Sequence, residues 1–235
     1  MRLGRLILAV CIFAAGGRGI AAELPLLPGL RDTDHRVVVD PNAPPWNAVV
    51  KVQTNIGTRC TGALVGPASV LTAAHCLYNR RTRALLQPLS LHVLVGYERG
   101  AFRWHRLVAR YTVGPGYDGA DKPPQTNDWV RLELAEPVPD AVRPLPIATA
   151  APSSGLPVAL AGYNQDRAQL LMADPECHIG IVTRRAGGTL LLHDCSATRG
   201  TSGGPLLTRE NGGWAVIGIN IAAGDLANVA LAVPQ

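Results

Sequence analysis

Short apolar segments separated by turn residues constrain the fold of this chain more than any other feature. The chain contains 25 glycines and 19 prolines in 235 residues, a proportion that interrupts long helices and favours frequent turns. Between these residues lie short segments rich in Val, Ile and Leu, at residues 48–53, 60–65, 69–71, 91–95, 106–113, 129–134, 158–162, 178–183, 189–193, 205–207, 214–221 and 228–233. Because they lack helical periodicity, these segments predict an all-β chain.

The predicted strands fall into two groups on either side of a proline-rich stretch, residues 135–154. Proline cannot donate to a strand ladder, so this stretch is interpreted as a connecting segment. Closing each group into a barrel removes exposed strand edges. The sequence therefore predicts two antiparallel β-barrels, the first over residues 46–140 and the second, with its linker, over residues 141–235. Residues 23–45 are interpreted as an N-terminal lead or propeptide.

Residues 1–22 have the three parts of a secretory signal peptide. Arg2 and Arg5 precede an apolar run over residues 6–15, and small residues end the segment. The run is too short for a bilayer, which requires about 20 apolar residues. A lipoprotein signal at Cys11 is disfavoured because Val10 stands where a small residue is expected. We therefore expect a secreted or periplasmic protein without a membrane anchor after signal removal.

The net charge argues against a nucleic-acid partner. The full chain has a formal charge of +5, from 22 basic and 17 acidic residues. Residues 1–22 contain three arginines and no acidic residue, so the remaining chain carries 19 basic and 17 acidic residues, a net charge of +2. That balance is not typical of phosphate binding.

Removal of Cys11 leaves an even number of cysteines in a chain sent to an oxidising compartment, which predicts two disulfides. The sequence alone permits three pairings. The local pairing, Cys60 with Cys76 and Cys177 with Cys195, closes two short loops and is the one we adopt. A zinc site built from residues 177–178 and 193–195 is the alternative, disfavoured because the usual C-x2-C spacing is absent.

Three motifs contain the residue types of a nucleophilic hydrolase. They read Thr-Ala-Ala-His-Cys at residues 72–76, Asn-Asp-Trp-Val at residues 127–130 and Gly-Thr-Ser-Gly-Gly-Pro at residues 200–205. A serine hydroxyl becomes nucleophilic when an imidazole accepts its proton, and a buried carboxylate fixes the imidazole tautomer. We therefore assign Ser202 as nucleophile, His75 as general base and Asp128 as the orienting carboxylate. The amides of Gly200 and Ser202 are expected to form an oxyanion hole. This chemistry needs no metal and no organic cofactor.

These motifs, in the order His, Asp, Ser, resemble those of the chymotrypsin-like serine peptidases over about residues 46–233. The resemblance implies two six-stranded β-barrels with the catalytic residues in the cleft between them. It also implies endopeptidase activity through an acyl-enzyme. The second half of the chain is similar to the bacterial branch that includes the glutamyl endopeptidases.

The chain departs from these relatives at the activation switch and in the substrate pocket. Thr201 stands where animal digestive members have an aspartate that pairs with a freed amine, so activation by cleavage at Arg36 is not expected. Ser196 stands where trypsin-like members place a carboxylate, and Asn220 where glutamyl-specific members place a histidine. The remaining pocket, Ser196, Ala197, Asn220, Ile221, Ala222 and Ala223, predicts acceptance of a small or medium uncharged side chain.

The sequence thus predicts a monomeric serine endopeptidase that acts on peptides or proteins. Two alternatives use the same residues. One is a secreted binding protein on a peptidase scaffold, and the other is an esterase with the same triad.

Overall fold

The computed structural model describes residues 27–31, 33–119 and 125–234, so the predicted signal peptide lies outside the described residues. The described residues form fifteen strands and four short 3-10 helices. The strands are β1 (Val37–Val38), β2 (Val49–Thr54), β3 (Arg59–Gly66), β4 (Ser69–Thr72), β5 (Tyr78–Asn79), β6 (Ala84–Leu85), β7 (Leu91–Val95), β8 (Trp104–Val113), β9 (Val130–Leu134), β10 (Pro157–Gly162), β11 (Met172–Arg185), β12 (Gly188–His193), β13 (Pro205–Glu210), β14 (Gly213–Ala222) and β15 (Asn228–Ala232). The 3-10 helices are Trp46–Ala48, Ala74–Leu77, Pro88–Ser90 and Gln165–Arg167.

The first barrel is a closed antiparallel ring with the strand order β2-β3-β4-β9-β8-β7. The burial pattern of β9 explains how such a strand packs. Val130, Leu132 and Leu134 are buried, whereas Arg131 and Glu133 are partly exposed. Successive side chains of a strand point to opposite faces, so this alternation directs one face into the barrel.

The second barrel has the strand order β11-β10-β13-β14-β15-β12, and the pairing of β12 with β11 closes it. The short strand β1 adds to the outside of this ring, where Val37 lies opposite Ala173 of β11. The prediction of an all-β fold with two six-stranded antiparallel barrels is therefore confirmed.

Strands β11 and β1 show how the structure departs from the strands predicted from the sequence. The strand expected over residues 178–183 begins at Met172, because the polar Asp174 is satisfied inside the sheet by the backbone N–H of Ser196 at 2.7 Å. Strand β1 lies in the lead, where two valines carry no periodicity. Because it pairs with Met172 and Ala173, this segment forms a strand that its own sequence does not predict.

The two barrels contact each other through a small apolar cluster that includes Val49, Tyr97 and Tyr163. The Tyr163 hydroxyl donates to the carbonyl oxygen of Tyr97 at 2.9 Å, and the two rings meet edge to face. This contact holds the barrels side by side, and the loops that carry the three sequence motifs meet at their boundary.

Candidate active site

The pairing of β4 with β9 brings His75 beside Asp128. Thr72 at the end of β4 lies opposite Val130 at the start of β9. The chain beyond Thr72 turns into the 3-10 helix Ala74–Leu77, which carries His75, and Asp128 immediately precedes β9. Both residues are therefore positioned by the first barrel.

The carboxylate of Asp128 binds His75 at two points. One oxygen lies 2.7 Å from the ring Nδ1, and the other accepts the backbone N–H of His75 at 2.8 Å. Asp128 is buried, while the His75 side chain is partly exposed to the cleft. Because a carboxylate only accepts hydrogen bonds, Nδ1 carries the proton, and Nε2 of the neutral ring is a proton acceptor.

The loop that carries Ser202 packs against the first barrel. The carbonyl oxygen of Ser202 accepts the backbone N–H of Thr61 on β3 at 2.9 Å. Gly203 has a φ of +78°, and a β-carbon at that position would lie 2.0 Å from the Thr72 hydroxyl oxygen. Only glycine therefore permits this close approach of the two barrels after Ser202.

The backbone conformation at Gly200 determines where its amide points. The carbonyl oxygen of Arg199 accepts the N–H of Gln165 at 2.7 Å, and in a trans peptide the N–H of Gly200 then points the opposite way. Gly200 has a φ of +94°, and a β-carbon there would meet the Tyr163 carbonyl oxygen at 2.4 Å. Within the described ranges, neither the Gly200 nor the Ser202 amide has a hydrogen-bond acceptor.

Ser202 is partly exposed, and among the described residues no hydrogen bond joins its hydroxyl to His75. The neighbouring backbone is nonetheless close, since Cys76 Sγ lies 3.9 Å from the Ser202 carbonyl oxygen. The structure thus joins His75 to Asp128 directly and places Ser202 against the same part of the first barrel. In structures without substrate, catalytic hydrogen bonds are often long.

A cavity of about 230 Å³, here called the Ser202 cavity, opens beside this residue. Four of the predicted pocket residues line it, together with four that the sequence analysis did not propose. The predicted ones are Asn220, Ile221, Ala222 and Ala223, and the others are Pro28, Gln165, Thr198 and Arg199. Thr198 and Arg199 could have been found from their position just before the Gly200 motif, whereas nothing local in the sequence indicates Pro28 or Gln165.

Ser196 and Ala197, predicted as pocket residues, are not part of this lining. Both are buried, and the N–H of Ala197 donates to the carbonyl oxygen of Gly29 at 2.9 Å. Asn228 donates to the same oxygen from its side chain, also at 2.9 Å. The lead segment Leu27–Arg31 therefore covers the strand-to-loop segment that the sequence analysis assigned to the pocket.

A buried ion pair lies behind the loop before Ser202. The guanidinium of Arg36, whose side chain is 1% exposed, binds both oxygens of Asp166 at 3.0 and 2.8 Å and both oxygens of Asp34 at 2.8 Å. Burial opposes the charge of Arg36, but its hydrogen bonds to Asp34 and Asp166 raise its pKa above the usual value. The same hydrogen bonds lower the pKa of both carboxyl groups.

This ion pair is connected by hydrogen bonds to the residue next to Ser202. The Thr198 hydroxyl donates to Asp166 at 2.9 Å, and the Thr198 backbone N–H donates to the side-chain oxygen of Asn164 at 2.8 Å. That oxygen also accepts the hydroxyl of Thr201 at 2.9 Å. Thr201, which replaces an acidic residue of the animal digestive enzymes, is thus satisfied by a neutral amide.

Both disulfides have the local pairing. Cys60–Cys76 ties β3 to the 3-10 helix of His75, and Cys177–Cys195 ties β11 to the segment that leads to Ser202. The prediction of disulfide bonds is confirmed. The sulfurs of Cys177 and Cys195 are bonded to each other and are not free thiolates, so they do not provide the ligands of the alternative zinc site.

Comparisons with known proteins agree with this geometry. A family model described as Trypsin matches residues 36–230. Glutamyl endopeptidase of Bacillus licheniformis is 28% identical over 137 residues, which cover 57% of this chain and 41% of that protein. Kallikrein 1-related peptidase b24 of Mus musculus is 33% identical over 132 residues, which cover 52% of this chain and 48% of that protein. The chain therefore spans less than half the length of both relatives.

A solved structure, described as Glu endopeptidase in complex with MPD, has the same fold. It superposes with a TM-score of 0.70 at 20% sequence identity, covering 85% of this chain and 91% of the solved chain. At that identity the likeness concerns the arrangement of the barrels.

Proposed function

Because the chain belongs to the trypsin family, as its three motifs predict, we propose that it is a serine endopeptidase with the triad Ser202, His75 and Asp128. The observation that carries the proposal is the double contact of the Asp128 carboxylate with the ring and the backbone of His75. This contact fixes the tautomer in which Nε2 can accept a proton from a serine hydroxyl.

In the proposed reaction, Ser202 Oγ attacks the scissile carbonyl carbon while Nε2 of His75 takes the hydroxyl proton. The carbonyl oxygen becomes negatively charged and accepts hydrogen bonds from the amides of Gly200 and Ser202. Asp128 stabilises the imidazolium, which then gives its proton to the leaving amine as the carbon–nitrogen bond breaks. Water attacks the resulting acyl-Ser202 with His75 again as base, and the carboxylic acid is released.

The Ser202 cavity is proposed to receive the side chain that precedes the scissile bond. Neutral side chains, those of Asn220, Ile221, Ala222 and Ala223, form one wall of it. We expect the cavity to accept a small or medium uncharged side chain such as that of alanine or valine. The test peptides therefore carry alanine at the position before the scissile bond. Hydrophobic pockets of this kind separate similar side chains by only about 1 to 3 kcal/mol.

We propose that the protein is secreted or periplasmic, that it acts on peptides or proteins, and that it is a monomer. Two disulfides support an oxidising location. In the part of the chain that the structure describes, no helix has the length and apolar character needed to cross a membrane.

The first test of the triad is covalent labelling with a fluorophosphonate probe, followed by turnover of amide and ester substrates. The wild-type protein is expected to be labelled at Ser202 and to cleave the amide. Ser202→Ala abolishes labelling, and Asp128→Asn lowers kcat/KM by about 10⁴-fold because the imidazole loses the required tautomer. Ser153→Ala, at an exposed serine, provides the matched control.

Three outcomes separate the proposal from its alternatives. A folded protein that resists the probe and turns over neither substrate is a binding protein on a peptidase scaffold. Turnover of the ester without the amide identifies an esterase. Full amide activity in Asp128→Asn contradicts the proposed role of that carboxylate.

A further inference from the structure

A second cavity of about 230 Å³, here called the Lys51 cavity, neighbours the Ser202 cavity and shares Gln165 and Arg199 with it. Lys51 on β2 and Arg59 on β3 line it from the first barrel. Arg199 and Gly200 line it from the second barrel. The Lys51 cavity therefore lies in the cleft between the barrels, in contact with one of the two proposed oxyanion donors.

The charge of this cavity is positive and uncompensated. Three of its lining residues are cationic, and no aspartate or glutamate of the described chain lines it. Arg59 and Arg199 are exposed, and within the described ranges neither has an ion-pair partner. Both guanidinium groups can therefore bind a carboxylate in the bidentate geometry that arginine favours.

Lys51 is an unusual residue for the buried contact between two barrels. It is 1% exposed, its Nζ donates to the Ala168 carbonyl oxygen at 2.6 Å, and Nζ lies 3.7 Å from the centre of the Tyr97 ring. No carboxylate of the described residues approaches it. Burial, together with the charge of Arg59, lowers the pKa of Lys51 to about 8. A buried ammonium without a counter-ion is costly, and an anion bound in the cavity would offset that cost.

The chemistry of the proposed reaction indicates which part of a substrate meets this cavity. His75 protonates the leaving amine, so the residues after the scissile bond lie on the His75 side of Ser202. His75 is followed by Cys76, whose disulfide partner Cys60 directly follows Arg59. A substrate chain that leaves along this disulfide passes Arg59 and the mouth of the Lys51 cavity.

We propose that the Lys51 cavity binds an acidic side chain of the substrate on the leaving-group side of the scissile bond. The inference rests on the proposed endopeptidase function and adds a specificity that the Ser202 cavity does not provide. Arg59 and Arg199 are its specificity-determining residues at the mouth, and Lys51 supplies positive charge at the wall.

The test uses quenched fluorescent peptides with a fixed acyl side that ends in alanine. Each of the positions after the scissile bond carries Glu, Gln or Lys in turn. With the wild-type enzyme, Glu is expected to raise kcat/KM about tenfold over Gln at one of these positions, and Lys to lower it, since charge pairs in partly desolvated interfaces reach this size. High salt is expected to reduce the ratio because it screens the exposed guanidinium groups.

Variants then assign the preference to the cavity. The Arg59→Gln/Arg199→Gln double variant is expected to reduce the Glu-to-Gln ratio to about twofold or less. Arg59→Gln alone is expected to reduce the Glu-to-Gln ratio in part. Because Arg199 also lines the Ser202 cavity and Arg59 does not, this single variant assigns the reduction to the Lys51 cavity. Arg184→Gln removes another exposed charge, on β11 outside the cavity, and is expected to keep the full ratio. For each variant, kcat/KM is measured for the Glu and the Gln peptide on the same preparation. A loss of folded or active protein lowers both values equally and leaves their ratio unchanged.

Two results overturn the inference while leaving the proposed function intact. One is cleavage of the peptides with equal kcat/KM for Glu and Gln at every position. The other is a preference for Glu that persists in the double variant. If no peptide is cleaved and the fluorophosphonate probe does not label Ser202, the endopeptidase proposal itself fails, and this inference fails with it.

Discussion

At the scale of single residues, His193 shows how burial sets the chemistry of one side chain. It ends β12 and is 1% exposed, and its Nε2–H donates a hydrogen bond to the side-chain oxygen of Asn220 at 3.1 Å. Among the residues described, its Nδ1 has no hydrogen-bond partner. Burial lowers the pKa of His193 to about 4, against an ordinary value of 6.5. The ring therefore stays neutral in the folded protein through the pH range in which an unfolded histidine gains its charge.

This difference predicts that the protein loses stability in mild acid. Below pH 6.5 the unfolded chain binds a proton at His193 that the folded chain does not, so the free energy of unfolding falls until the pH reaches the folded pKa. The loss between these limits is on the order of 3 kcal/mol. Denaturant unfolding at a series of pH values measures it. His193→Gln is expected to flatten the slope, whereas His178→Gln, at a half-exposed histidine, keeps it. An unchanged slope in His193→Gln would contradict the assignment.

At the scale of elements, the lead packs against the outside of the second barrel. Strand β1 pairs with β11, and Arg36, just before β1, forms the buried ion pair with Asp34 and Asp166. Arg31 donates to the carbonyl oxygens of His193 and Leu226. The lead therefore contacts the second barrel through β11, β12 and the 3-10 helix Gln165–Arg167.

Replacing Arg36 with methionine is therefore expected to lower the free energy of unfolding by about 3 kcal/mol, because two carboxylates lose their buried partner. Chemical denaturation provides the measurement, and Arg184→Met is the control for a surface arginine.

The pH dependence of this ion pair's contribution to stability has a definite sign. Since the ion pair lowers the pKa of Asp34 and Asp166, its contribution is present above their ordinary value of 3.8 and is lost as the pH falls through the lowered values. Equal stability of the two variants would contradict this role.

At the scale of the whole molecule, one disulfide restrains each half of the candidate active site. Cys60 and Cys76 are 16 positions apart, and Cys177 and Cys195 are 18 positions apart. Closure of loops this similar in length restricts the unfolded chain by similar amounts, about 3 kcal/mol each.

The double variants Cys60→Ala/Cys76→Ala and Cys177→Ala/Cys195→Ala are therefore expected to lose nearly equal stability, which guanidinium unfolding can compare. Removing both cysteines of a pair avoids a free thiol that could exchange with the remaining disulfide. A loss confined to one pair would mean that native contacts around that bridge, and not the unfolded chain, determine its contribution.

The local sequence determined the strands of the two barrels and the residue types of the candidate active site. Alternation such as that of Val130, Leu132 and Leu134 depends on the two-residue period of a strand, and the glycines around Ser202 depend on local backbone conformation. Only the tertiary structure decided which distant groups meet. It placed Gly29 against Ala197, Arg36 against Asp166, and Lys51 with Arg199 at one cavity. These contacts join residues more than 100 positions apart in the chain. No local pattern encodes them, because they follow from the packing of two closed barrels and from the cost of burying charges and backbone groups without partners.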